Sequence, residues 1–154
     1  MTHLKSTLHD DLTTAIRARD ELTAATLRMA LSAITTEEVA GKAARVLSDD
    51  DVLAVLTKEA KKRTEAATAF AAAGRAELAD RENAELDVLR RYLPEPLGEA
   101  EVAAMVDEAV AQAAAAGATG RAAMGRVMKD LSVRTRGRFD GKALSELVRA
   151  RLAL

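Results

Sequence analysis

Large apolar residues in this chain recur every three or four positions and almost never every second one, a period that restricts it to helices. Leu4, Leu8, Leu12 and Ile16, each four apart, mark a first amphipathic helix. Leu27, Leu31 and Ile34 mark a second that ends before Gly41. Ser48 followed by Asp49, Asp50 and Asp51 is a helix start, a hydroxyl cap with carboxylates in the first turn. Val52, Val55, Leu56 and Phe70 line the third helix, which Gly74 stops. Leu78, Leu86, Leu89 and Leu93 carry a fourth. No alternating run lasts six residues, and no hairpin dipeptide lies between alternating segments. The expected fold class is all-α.

Tyr92-Leu93-Pro94-Glu95-Pro96 holds the only two prolines. Each proline drives the residue before it out of the helical region. A boundary therefore falls here, between an N-terminal four-helix region (1–93) and a C-terminal three-helix region (94–154). In the second region Val102, Met105, Val106, Ala109 and Val110 point inward from a fifth helix that Gly117 ends. Met124, Val127, Met128 and Leu131 belong to a sixth. Asp140 caps a seventh with Leu144, Leu147, Val148 and Leu152 inward. Thirty-five of the 154 residues are alanine. Alanine is the best helix former and a poor core filler, so these helices are expected to pack closely over small side chains.

The chain has no cysteine. That excludes a disulfide framework, a thiolate nucleophile and any Cys-ligated zinc or iron–sulfur site. Charges spread through the first twelve residues argue against a signal peptide. No stretch approaches the roughly 18 apolar residues of a membrane span, and a cytoplasmic location without membrane contact is expected. The net charge of −1 conceals an uneven distribution. Residues 94–120 hold five acids and no base, and residues 121–154 hold nine bases and three acids, a net of +6. Only that last segment is basic enough to imply an anionic partner.

Four patterns carry candidate chemistry. Lys58, Lys61 and Lys62 lie in Lys58-Glu59-Ala60-Lys61-Lys62-Arg63, either a solvated helix face or a secondary phosphate-contacting patch. Glu59 and Arg63 have the spacing of a helical ion pair. Arg75, Glu77, Arg81, Glu82 and Glu85 fit an ion-pair network joining the third and fourth helices better than acid/base chemistry, because no histidine is near. Met124-Gly125-Arg126-Val127-Met128-Lys129 sets a glycine inside a helix, which costs about 1 kcal/mol and suggests close backbone approach. Its Arg126 and Lys129 are then solvent-facing. Arg134-Thr135-Arg136-Gly137-Arg138-Phe139-Asp140-Gly141-Lys142 is a basic turn bent by Gly137 and Gly141, at a helix start suited to phosphate or simply a solubilising connector. Phe139 is open to two readings, core packing or stacking on a base.

Little supports catalysis. His3 and His9 share no cluster, and His9-Asp10-Asp11 offers at most a stray cation site. There is no nucleophile elbow, phosphate-binding loop or dinucleotide fingerprint. No catalytic residue, metal or cofactor is expected.

Several segments, in order, resemble the GatB/YqeY family in its free-standing form. They are Thr26-Leu27-Arg28-Met29, the Lys58–Arg63 cluster, Gly74-Arg75-Ala76-Glu77-Leu78, Glu82-Asn83-Ala84-Glu85, Tyr92-Leu93-Pro94, Met124-Gly125-Arg126-Val127-Met128 and Gly137-Arg138-Phe139-Asp140-Gly141-Lys142. The resemblance runs from about Leu4 to Leu152. It implies four helices and then three, and kinship with the C-terminal tail module of the B subunit of the glutamine-dependent tRNA amidotransferase. That tail helps hold misacylated tRNA, while amide transfer from glutamine and ATP use belong to other parts of the enzyme. Two positions depart from the pattern: Gly98 stands where a Ser or Thr cap is usual, and Phe139 where a small residue is usual.

The sequence therefore leads to a non-catalytic tRNA-binding accessory module, with Arg126, Lys129, Arg134, Arg136, Arg138 and Lys142 on phosphates. The alternative is a module that docks on an amidotransferase or a synthetase through the acidic fifth helix and the seam at Tyr92-Leu93-Pro94. Amidotransferase-like chemistry by the chain alone ranks last.

Overall fold

A computed structural model describes residues 2–154. Its helices are α1 His3–Arg17, α2 Glu21–Glu38, α3 Asp49–Ala72, α4 Ala76–Arg90, α5 Glu99–Ala115, α6 Gly120–Arg134 and α7 Gly141–Leu152. Among the described residues there is no strand. The chain forms two units, Met1–Leu93 and Pro94–Leu154.

In the first unit the helix ends are set by local chemistry. Asp20 caps α2 twice: one carboxylate oxygen accepts from the Thr23 amide at 3.1 Å and the other from its hydroxyl at 2.7 Å. Ser48 and Asp51 form a reciprocal capping box at the head of α3. Gly74, at φ +72°, supplies the left-handed residue that ends α3 and turns the chain into α4. Leu8, Leu27, Ile34, Val52, Leu56 and Leu89 are buried together at the centre of this unit. Leu47 joins them from outside any helix, a contribution that helical spacing does not reveal. Ile16 departs from the expected stripe: it is 49% exposed, whereas its neighbour Ala15 is buried, so the buried face at the end of α1 passes through Ala15.

A buried ion-pair chain joins α3 to α4. The Arg63 guanidinium is 2.7 Å from Glu59 and 3.5 Å from Glu85, and Arg81 reaches Glu85 at 3.4 Å from the rim. Of the five residues expected to join these helices, Arg81 and Glu85 make the link, and Arg63 of α3 completes it. Burial raises the Glu59 carboxyl pKa, but hydrogen bonds from Arg63 and Lys62 outweigh it and hold the group below its ordinary value. The Tyr92 hydroxyl donates to Asp11 at 2.6 Å. Burial, followed by that carboxylate, raises the Tyr92 pKa, so it remains a donor at neutral pH. Tyr92 and Leu93 pack against the first core. Of the seam expected at Tyr92-Leu93-Pro94, Tyr92 and Leu93 are thus partly buried in this unit's packing, and Pro94 is exposed.

In the second unit, Val102, Val106, Ala123, Val127, Leu131 and Val148 meet at the centre. Valines and alanines make up most of this core. Phe139 is half-buried and packs against this core, as the first of its two readings expects. Gly98 begins α5 without a side-chain cap, and Glu99 and Glu101 in the first turn favour the helix dipole instead. Among the described residues, no helix is long and apolar enough to cross a membrane.

Candidate nucleic-acid interface

The geometry of the basic segment follows from the helical period of α6. Ala123, Val127 and Leu131 are buried at i, i+4 and i+8. At 100° per residue, Arg126 and Lys129 fall on the opposite side, beside Ala122, Gly125 and Val133. All of these are exposed, Val133 at 65%. Arg136 is exposed in the following turn, and Lys142 in the first turn of α7. Gly137 adopts φ +73° and bends the chain between the two helices. The Asp140 carboxylate accepts from the Ala143 amide at 3.0 Å and starts α7.

The six candidate cations do not form one class. Two ion pairs of this unit are Arg134–Asp130 at 3.1 Å and Arg151–Asp107 at 2.7 Å. Arg126, Lys129, Arg136 and Lys142 stand outside both. Arg134 shares its charge with Asp130 at a favourable i, i+4 spacing. Arg138 is occupied differently: its Nε donates to the Glu95 carbonyl at 3.0 Å, and its own carbonyl accepts from the Leu97 amide at 2.8 Å. It fastens the α6–α7 turn to the segment leading into α5, so it is first of all a structural tie.

Two glycine readings need correction. A Cβ built at Gly125 meets nothing within 4 Å, so no backbone of this chain approaches it. Gly141 is the first residue of α7 and is not among the positive-φ glycines, so the bend belongs to Gly137 alone.

Helix-end electrostatics add to the side chains. The first turns of α2, α3, α4 and α5 carry acids, whereas those of α1, α6 and α7 carry none, and α6 and α7 hold Arg121 and Lys142 there. A cation beside the positive end of a helix dipole raises the local potential further. Arg121 is exposed and was absent from the candidates named above; the signal was a base in a first turn where acids are the rule.

The secondary patch on α3 is divided. Lys62 pairs with Glu59 at 3.0 Å, Arg63 is interior, and Lys61 is engaged as well. Lys58 is exposed. The cluster is mainly the outer edge of the α3–α4 ion-pair chain. Among the described residues, no three or more His, Asp or Glu side chains gather to hold a metal ion. His3 and His9 are exposed on α1, and Asp11 of the His9-Asp10-Asp11 run is taken by the Tyr92 hydroxyl.

Comparison with known proteins gives two matches. The family model described as "Yqey-like protein" matches residues 5–152. An uncharacterized protein of Schizosaccharomyces pombe is 37% identical over 94 residues, which is 60% of this chain and 74% of the yeast protein.

Proposed function

The chain belongs to the YqeY-like protein family, and from that premise we propose that it acts by binding, as a tRNA-binding accessory module that grips the phosphate backbone. The observation that carries this reading is the position of Arg126, Lys129, Arg136 and Lys142: all four are exposed, and none belongs to the Arg134–Asp130 or Arg151–Asp107 pair. Arg121 extends the same charge at the head of α6. Cations left outside internal ion pairs can release counterions from a polyanion, which is the main source of affinity for nucleic acid. The resemblance to the amidotransferase tail supplies tRNA as the class of polyanion. It also accounts for the absence of any catalytic group from the proposed machinery: amide transfer stays with the partner enzyme, and no cofactor enters. An amidotransferase or a synthetase acting on the same tRNA is the protein partner this role calls for.

The test is a titration of bulk tRNA with the full chain at about 50 and 200 mM salt. Binding is expected in the micromolar range, with log K falling against log salt at a slope of roughly −3 for four phosphate contacts. The double variant Arg126→Glu/Lys129→Glu is expected to weaken binding about tenfold or more and to flatten that slope. No shift at tens of micromolar protein and low salt defeats the reading. Arg138→Ala separates grip from scaffolding: it is expected to lower the stability of the second unit more than it changes the salt slope.

A further inference from the structure

In the first unit, α1 and α2 lie side by side, and two adjoining hollows run along their seam. One, of about 780 Å³, is bordered by Ile16, Arg19, Leu22, Arg28 and Arg81 among others. The second, of about 620 Å³, is bordered by Lys5, His9, Leu12, Arg28 and Leu31 among others. Arg28 borders both, so the two are consecutive stretches of one trough. From Lys5 to Arg19 at 1.5 Å per residue it is about 20 Å long, some four turns of a helix.

Its floor and rim differ in chemistry. Leu12, Ile16, Leu22 and Leu31 give an apolar floor, and Ile16 is half exposed although it continues the apolar stripe of α1. The rim carries Arg19 and Arg28, both exposed, and Arg81 from α4. Arg19 holds a left-handed backbone, φ +56°, where glycine is the usual residue. Two acids, Asp20 and Glu21, stand at one end. The Asp20 carboxylate caps α2 through Thr23, and it and Glu21 are both exposed, so this end of the trough carries acid and the cationic stretch lies toward Arg28.

We propose that this trough is a docking site for an acidic amphipathic helix of a partner protein, its apolar stripe on Ile16 and Leu12 and its carboxylates on Arg28 and Arg19. A groove between two helices accepts the ridge of a third, and apolar anchors at i, i+3, i+4 and i+7 match a floor of this length. Guanidinium groups suit carboxylates because they bind them through two parallel hydrogen bonds. A nucleic-acid backbone fits less well, because it gains nothing from burying leucine and isoleucine. The site is separate from the α6 and α7 cations, so the two readings stand or fall independently.

The test uses the full chain and a fluorescein-labelled peptide of about 18 residues, with leucines on one helical face and glutamates on the other. A second peptide keeps the leucines and replaces every glutamate with lysine. The acidic peptide is expected to bind saturably in the micromolar range, and the lysine peptide at least about tenfold more weakly. Ile16→Glu and Arg28→Glu are each expected to weaken the acidic peptide about tenfold while leaving the thermal melt in place, since both residues are exposed. Arg28→Glu is also expected to strengthen binding of the lysine peptide, a charge swap that loss of fold does not mimic. The Arg126→Glu/Lys129→Glu protein should bind the acidic peptide normally. Absence of saturable binding of the acidic peptide by about 100 µM overturns the proposal, as does equal binding by wild type and both trough variants. It is also overturned if Arg28→Glu weakens tRNA as much as peptide, which makes the trough a nucleic-acid surface.

Discussion

Arg63 and Gly125 show how one side chain, or its lack, takes its meaning from what surrounds it. Arg63 stands in a run of lysines yet is 4% exposed, enclosed by Glu59 and Glu85. Removing it leaves two carboxylates in the interior without their common counter-charge. Arg63→Ala is therefore expected to destabilise the first unit by about 3–5 kcal/mol, measured by urea denaturation. Gly125 is the opposite case. It is mid-helix, exposed, and free of neighbours at the Cβ position. Gly125→Ala is expected to stabilise the protein by about 1 kcal/mol, from helix propensity and the smaller entropy of the unfolded chain. A loss of stability would show that the helix uses the glycine in some way its geometry does not display.

Three helices, α2, α3 and α7, begin on side-chain caps, and those of α2 and α3 link stability to pH. Asp51 is held below its usual range by hydrogen bonds from the Ser48 amide and hydroxyl, and Asp20 by those from Thr23. A carboxylate with a depressed folded pKa binds protons more readily in the unfolded chain, where it titrates near 4. Its contribution is thus complete at neutral pH and is lost as pH falls through that range toward the folded value. Glu59 adds to the effect with the same sign. Thermal melts followed by circular dichroism from pH 7 to pH 3 are expected to show this loss, with Asp51→Asn flattening the curve. Ser48→Ala is expected to cost about 1 kcal/mol at neutral pH, through the lost α3 cap.

The two units differ in what their cores are made of, and their behaviour should differ accordingly. The first collects leucines and isoleucine and adds the α3–α4 ion pairs, whereas the second relies on valines, alanines and two fully buried leucines, Leu131 and Leu144. A region of that size and composition has a margin of only a few kcal/mol. Leu131→Ala is expected to cost about 2–5 kcal/mol, enough to unfold α5–α7 while α1–α4 persist. Amide hydrogen exchange should show the same order in the unmodified protein, with α5–α7 amides exchanging before the central turns of α3 and α4.

Local information in the sequence was enough to establish the helices, the caps at Ser48 and Asp140 and the break at Pro94, because helical period, capping and proline geometry act over a few residues. The inward faces of α5, α6 and α7 were legible for the same reason, as was the outward position of Arg126 and Lys129. Contacts between residues far apart in the chain were not. Only the tertiary structure decided that Ile16 lies outside the core, that Leu47 lies inside it, and that Arg63 turns inward between two acids. It also decided that Arg138 is bound to the Glu95 carbonyl, and that Arg28 and Arg81 border one trough. Spacing states which residues share a helix face; what that face meets depends on where the other helices pack.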